Sequence, residues 1–151
     1  MQIFYKINVS FIIFSIFRFK IIKNKPNEMN KIENLAYLFA TMMESDGKVS
    51  IKELNSWYQI VEKRWTEIPK EQAGNAIKIS LYSLKSQKKS EKIKNLKKVL
   101  KYLKLSLQKS ELEKLAEDLS LMIQSDGTIA TRELNLAGLL NWKLGLDIKF
   151  D

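Results

Sequence analysis

The chain has 151 residues and contains no cysteine and no histidine, only two prolines and only five glycines. Without cysteine there is no disulfide and no thiolate nucleophile, and without histidine there is no imidazole base and no ordinary zinc site. Any metal held by such a chain is bound through oxygen, which selects calcium, magnesium or manganese. The lack of cysteine fits a reducing compartment, so a cytoplasmic location is expected. No glycine-rich phosphate loop and no Gly-x-Ser-x-Gly elbow occurs, and no long alternating strand pattern follows residue 28. Nothing assembles a nucleophile, a base and an oxyanion site, so an enzyme is not expected.

Positive charge, by contrast, is in surplus. There are 26 Lys and Arg against 17 Asp and Glu, a formal charge of +9. Such a balance favours loose association with anionic surfaces, whether nucleic acid or phospholipid headgroups. The length suits one domain with a single hydrophobic core.

Residues 1–28 differ in composition from the rest. Five of the seven phenylalanines fall there, and Phe, Ile, Lys, Asn and Tyr make up nineteen of the first 25 residues. The apolar run over residues 7–17 is eleven residues long, whereas a membrane span needs about 20. One charge, Lys6, precedes the run, but no small-x-small cleavage site follows it. The same residue types are those whose codons can be written in A and T alone. Three readings therefore stand side by side: in-frame upstream DNA with Met29 as the true start, a membrane anchor or signal, and a β-strand. Residues 29–151 form the expected domain.

From Asn30 onwards the pattern is helical throughout. Asn30 caps a first helix ending near Glu44, with Ile32, Leu35, Ala36, Phe39, Met42 and Met43 on one face. Ser50 and Glu53 form a capping box for a second helix that buries Leu54, Trp57, Tyr58, Val61 and Trp65. Pro69 suits the first position of a third helix, whose apolar stripe is Ala73, Ala76, Ile77, Ser80, Leu81 and Leu84. Ser90 is the expected cap of a fourth, with Ile93, Leu96, Leu100 and Leu103 inward. Ser110 with Glu113 opens a fifth that buries Leu112, Leu115, Ala116, Leu119, Met122 and Ile123. The sixth runs through Leu134, Ala137, Leu140 and Leu144 to Gly145, and Asp147 is placed to cap a last short turn. The expected fold class is all-α, a bundle of six or seven helices. Trp57 and Trp65 read as core, as do Met42, Met43 and Met122 beside the turns.

One stretch occurs twice. Glu-Ser-Asp-Gly-Lys-Val-Ser-Ile-Lys-Glu-Leu-Asn over residues 44–55 is answered by Gln-Ser-Asp-Gly-Thr-Ile-Ala-Thr-Arg-Glu-Leu-Asn over 124–135. At an offset of 80, residues 34–55 and 114–135 share nine identities in 22 positions. A duplicated helix–turn–helix predicts two hairpins related by an approximate two-fold axis, bridged by the third and fourth helices.

The repeated turn can be compared with an EF-hand loop. Asp46, Gly47, Val49 and Glu53, and again Asp126, Gly127, Ile129 and Glu133, fit loop positions 5, 6, 8 and 12. Positions 1 and 3 fail, being Met42 and Glu44 in the first copy and Met122 and Gln124 in the second. An ordinary EF-hand pair is therefore not expected. A turn with a purely structural role accounts for Asp-Gly at a helix junction and for Glu53 as the partner of Ser50. Ala130 replaces that serine in the second copy, so Glu133 has no such explanation.

An apolar helix ending in Met-x-x-Ser-Asp-Gly, followed by Glu-Leu, resembles the TerB-like family, which includes tellurite-resistance TerB and the N-terminal domain of DjlA-type co-chaperones. Ala36, Met42, Asp46, Gly47 and Glu53 carry the resemblance, as do Ala116, Met122, Asp126, Gly127 and Glu133 and the closing Leu144-Gly145-Leu146. The resemblance covers about residues 30–150. It implies a helical bundle with pseudo-two-fold symmetry and a divalent-metal site, Ca2+ or Mg2+, near the paired turns. It further implies a role in stress response at the cytoplasmic face of the membrane, acting with a protein partner. Carried over residue by residue, the metal ligands are Asp46, Glu53, Asp126 and Glu133.

A second candidate surface is basic. Ten of the 25 residues from 85 to 109 are lysine, and Glu91 alone opposes them. Lys94, Lys97, Lys98, Lys101 and Lys104 recur at helical spacing opposite the leucines, which suits a solvated face first, and otherwise a phosphate backbone or an anionic membrane surface. Base readout of nucleic acid is not expected, because arginine is scarce and Tyr82 and Tyr102 are the only nearby aromatics.

Overall fold

The structure, a computed structural model, describes residues 29–45, 47–125, 129 and 131–150. The readings placed on residues 1–28, Asp46, Asp126, Gly127 and Ala130, and the end of the last turn at Asp151, lie outside the described residues. Six helices follow one another: α1 (Lys31–Glu44), α2 (Ile51–Arg64), α3 (Lys70–Ser86), α4 (Lys89–Ser106), α5 (Lys109–Gln124) and α6 (Thr131–Leu144). Among the described residues there is no strand, and the fold is an all-α bundle.

Helix α1 starts where its cap dictates. The Asn30 side chain accepts the Glu33 backbone N–H at 3.0 Å, and the Glu33 carboxylate accepts that of Asn30 at 2.9 Å. Ten of its fourteen residues are buried, which is too many for one apolar stripe. It is the central helix, and α3 and α4 pack most extensively against it. Trp57 of α2 is fully buried against Phe39, with ring centroids 5.2 Å apart and tilted by 50°. The Trp57 indole N–H donates to the Ala73 carbonyl at 3.0 Å, so one side chain ties α2 to both α1 and α3. Trp65 is buried at the end of α2, as expected.

Helix α5 rests on α2 and, less extensively, on α1, while α6 packs on α4. The α2–α5 seam holds a forked ion pair: Arg64 donates to both oxygens of Asp118, each at 2.9 Å, and Asp118 is 2% exposed. The guanidinium is held in its charged form by that carboxylate. Beyond α6 the chain turns at Gly145, whose φ of 66° belongs to the left-handed region, and Leu146 N–H reaches back to the Asn141 carbonyl at 3.1 Å. The Asn141 side chain then accepts the Ile148 N–H at 2.8 Å, and Leu146 and Ile148 are buried. Asp147 therefore sits in a non-helical tail rather than capping a turn.

Three expected helix starts are displaced. Pro69 is the cap of α3 rather than its first residue, with ψ of 144°. Helix α4 begins after Lys88 and α5 after Gln108, not at Ser90 and Ser110. In both, a glutamate chooses the start: Glu91 accepts the Lys88 backbone N–H and Glu111 that of Gln108, each at 2.9 Å. The two junctions share their backbone, Gln87 at φ −89°, ψ 142° and Leu107 at φ −96°, ψ 141°. Two inward assignments also fail. Ile93, the fifth residue of α4, is 45% exposed, while Val99 takes a buried place. Leu134 is 46% exposed, because the buried line of α6 runs through Glu133, Ala137, Leu140 and Leu144.

Candidate functional site

The two copies of the repeated stretch end their first helices alike. Ser45 and Ser125 have nearly the same backbone, φ −62°, ψ −27° and φ −63°, ψ −29°. Each hydroxyl donates to the carbonyl three residues back, Met42 or Met122, at 2.7 Å. Gly47 takes φ of 85°, a conformation that glycine reaches without the Cβ penalty, and its N–H closes the turn on the Glu44 carbonyl at 2.9 Å. Of the four candidate ligands, Glu53 and Glu133 are both buried, at 3% and 2% exposure, and Asp46 and Asp126 lie outside the described residues. The Glu53 carboxylate accepts the Ser50 N–H at 2.7 Å while its own N–H is capped by the Ser50 hydroxyl at 3.1 Å. Glu44 pairs with Lys92 of α4. Among the described residues, no three acidic side chains come together as a group able to hold a metal ion.

The basic surface is fully described. Lys94, Lys97, Lys101 and Lys104 are exposed on α4, and Lys98 is half-buried. Among the described residues none of the five takes part in an ion pair. The opposite side of the helix, Leu96, Val99, Leu100 and Leu103, is buried. Leu105, 79% exposed, falls by helical spacing within the lysine stripe, and exposed Ile93 lies at its edge. Tyr82 and Tyr102 are half-buried, so neither stands out as a stacking platform.

A polar knot ties the junction of α3 and α4 to α1. The Tyr37 hydroxyl of α1 donates to Gln87 at 2.8 Å, and the Gln87 amide donates to the Ser83 hydroxyl at 2.8 Å. Burial pushes the Tyr37 phenol up to about 12, against the opposing effect of its hydrogen bonding with Asn95 and Gln87. The lysines are thus displayed by a helix clamped at its start by this knot and by Glu44–Lys92.

Sequence patterning did not single out the exposed apolar residues. Trp142 of α6 is 74% exposed, with the Lys143 ammonium 4.2 Å from its ring centre, and Leu121 of α5 is 64% exposed. The signal was present: residue 142 falls off the line 133–137–140–144. Comparison with protein-family models, with curated proteins and with solved structures finds no match. No helix among the described residues is long and apolar enough to cross a membrane.

Proposed function

We propose that the chain is a non-catalytic, TerB-like helical module that docks on anionic membrane surfaces through α4. The observation that carries this reading is the lysine stripe, four exposed ammonium groups over three turns, without carboxylate partners among the described residues. Leu105 within it suits a surface that is apolar a few ångströms below its charged headgroups. Each lysine near such a surface contributes about 1 kcal/mol, and the attraction falls off within a Debye length. Nucleic acid is the poorer partner, since the stripe carries no arginine and no exposed aromatic.

The test is flotation of the full chain with phosphatidylserine-containing vesicles, phosphatidylcholine vesicles and duplex DNA as salt is raised. Binding to the first alone, weakening with salt and lost in Lys94→Gln/Lys97→Gln/Lys101→Gln/Lys104→Gln, is the expected result. Binding unaffected by the four substitutions would sink the proposal.

The repeat supports a second, compatible reading as a weak Ca2+ or Mg2+ site. Glu53 and Glu133, equivalent at the 80-residue offset, are both buried beside the two elbows. Lys31 and Glu111, also 80 apart, pair at 3.0 Å. Millimolar cation would raise the melting temperature, and Asp46→Asn with Asp126→Asn would abolish the rise. An unchanged melting temperature leaves the turns structural. A stress-associated role beside a protein partner remains what the TerB-like resemblance implies.

A further inference from the structure

We infer that the seat between α5 and α6 is a peptide-binding site. It takes an extended partner segment with apolar side chains at alternate positions, and residues 146–150 of the chain itself hold it closed. The inference stands apart from the membrane reading, since the polar contacts of the seat come from α5 and α6 and use none of the lysines of α4. Neither helix packs extensively on the other; α5 rests on α2 and α6 on α4. The segment after α6 bridges them.

That segment is held as a bound peptide would be. Beyond the left-handed turn at Gly145 it is non-helical, and burial alternates along it. Leu146 and Ile148 are buried and Phe150 packs against the core, while Asp147 and Lys149 are exposed and pair with each other at 2.8 Å. A period of two is that of an extended chain lying on an apolar surface. The hydrogen bonds that the two helices make to it go to backbone. The Asn141 amide accepts the Ile148 N–H at 2.8 Å and donates to the Ile148 carbonyl at 3.4 Å. The Ser120 hydroxyl donates to the Lys149 carbonyl, and Gln124 donates to that hydroxyl at 2.8 Å, which leaves its proton for the carbonyl. An amide forked onto both groups of one residue recognises backbone whatever the side chain, and the alternate apolar positions supply selectivity. Among the described residues no backbone–backbone hydrogen bond engages 147–150, so these residues are held only through side chains and open easily. An incoming segment of the same pattern meets the same clamps.

The test titrates a labelled peptide, Gly-Leu-Asp-Ile-Lys-Phe of residues 145–150, by fluorescence anisotropy against the full chain and against Ile148→Asp, which frees the seat. The fraction of chains with the seat open governs apparent affinity, so the variant should bind about tenfold more tightly than the unaltered chain, or better. Adding Asn141→Ala should abolish that gain. If Asn141 served only to fasten the chain's own segment, its loss would raise binding instead, and the site would be overturned. The same peptide with the Ile148→Asp change should bind neither protein. Should the variant lose its helical circular dichroism, the unaltered chain decides: saturable binding of the first peptide and not the second is expected. No saturable binding to either protein, or equal binding of the two peptides, would overturn the site. Self-association of the variant that peptide does not reverse would assign the seat to exchange between copies, and would equally overturn it.

Discussion

The two copies of the repeated stretch join helices that occupy different environments. In the first, α1 is surrounded, with ten of fourteen residues buried; in the second, α5 buries six of sixteen. Where α1 has buried Leu38, α5 has Asp118, which is buried only by virtue of Arg64. Where the first hairpin has Thr41 and Glu62, the second exposes Leu121 and Trp142. One sequence pattern thus supplies a core hairpin and a peripheral one, and the residues that differ between them decide which is which. The first holds the bundle together.

The sharpest way to break that contrast is to remove the anchor of the core hairpin. Trp57→Ala should cost about 4 kcal/mol in a urea titration, because the indole is fully buried and its N–H bond to α3 goes with it. The equivalent position of the second hairpin is already Ala137. A loss similar to that of a surface substitution would mean that the first hairpin is not central.

Next in size is the seam between the hairpins. Arg64→Ala should cost about 3 kcal/mol, since it leaves Asp118 buried without its cation. Adding Asp118→Leu, the residue type of the first copy, should recover most of the loss. Failure to recover would show that α5 differs from α1 by more than this exchange.

Ser50→Ala removes the hydroxyl that caps α2 and should cost about 1 kcal/mol by thermal or chemical denaturation. It converts the first elbow to the alanine that the second already carries at position 130. A separate effect is expected at high pH. The Tyr37 phenol is raised in the folded chain, so its contribution is complete below the ordinary phenol value near 10 and is lost as pH rises through about 12. Tyr37→Phe should flatten stability across that window, and an unchanged alkaline slope would contradict the burial of the phenol.

Much of the bundle was legible in the sequence because local rules decided it. Asn30 with Glu33, Ser50 with Glu53, and Gly47 and Gly145 in left-handed turns all act within four residues. What was misread depended on neighbours or on competition. Ser90 and Ser110 lost their caps because Glu91 and Glu111 reach the backbone three residues upstream. Leu134 yielded the buried line to Glu133, a choice that hydrophobicity alone could not anticipate. Of the candidate sites, the lysine stripe was readable from spacing, whereas exposed Leu105 and Trp142 depended on which helices pack beside them.

The direct test of the docking surface is a partition titration of the full chain and its four-lysine-to-glutamine variant against phosphatidylserine-containing vesicles at physiological salt. Four lysines at about 1 kcal/mol each predict a loss of affinity on the order of a thousandfold. Equal affinities for the two proteins would place the membrane contact, if any, elsewhere on the molecule and contradict the assignment of α4.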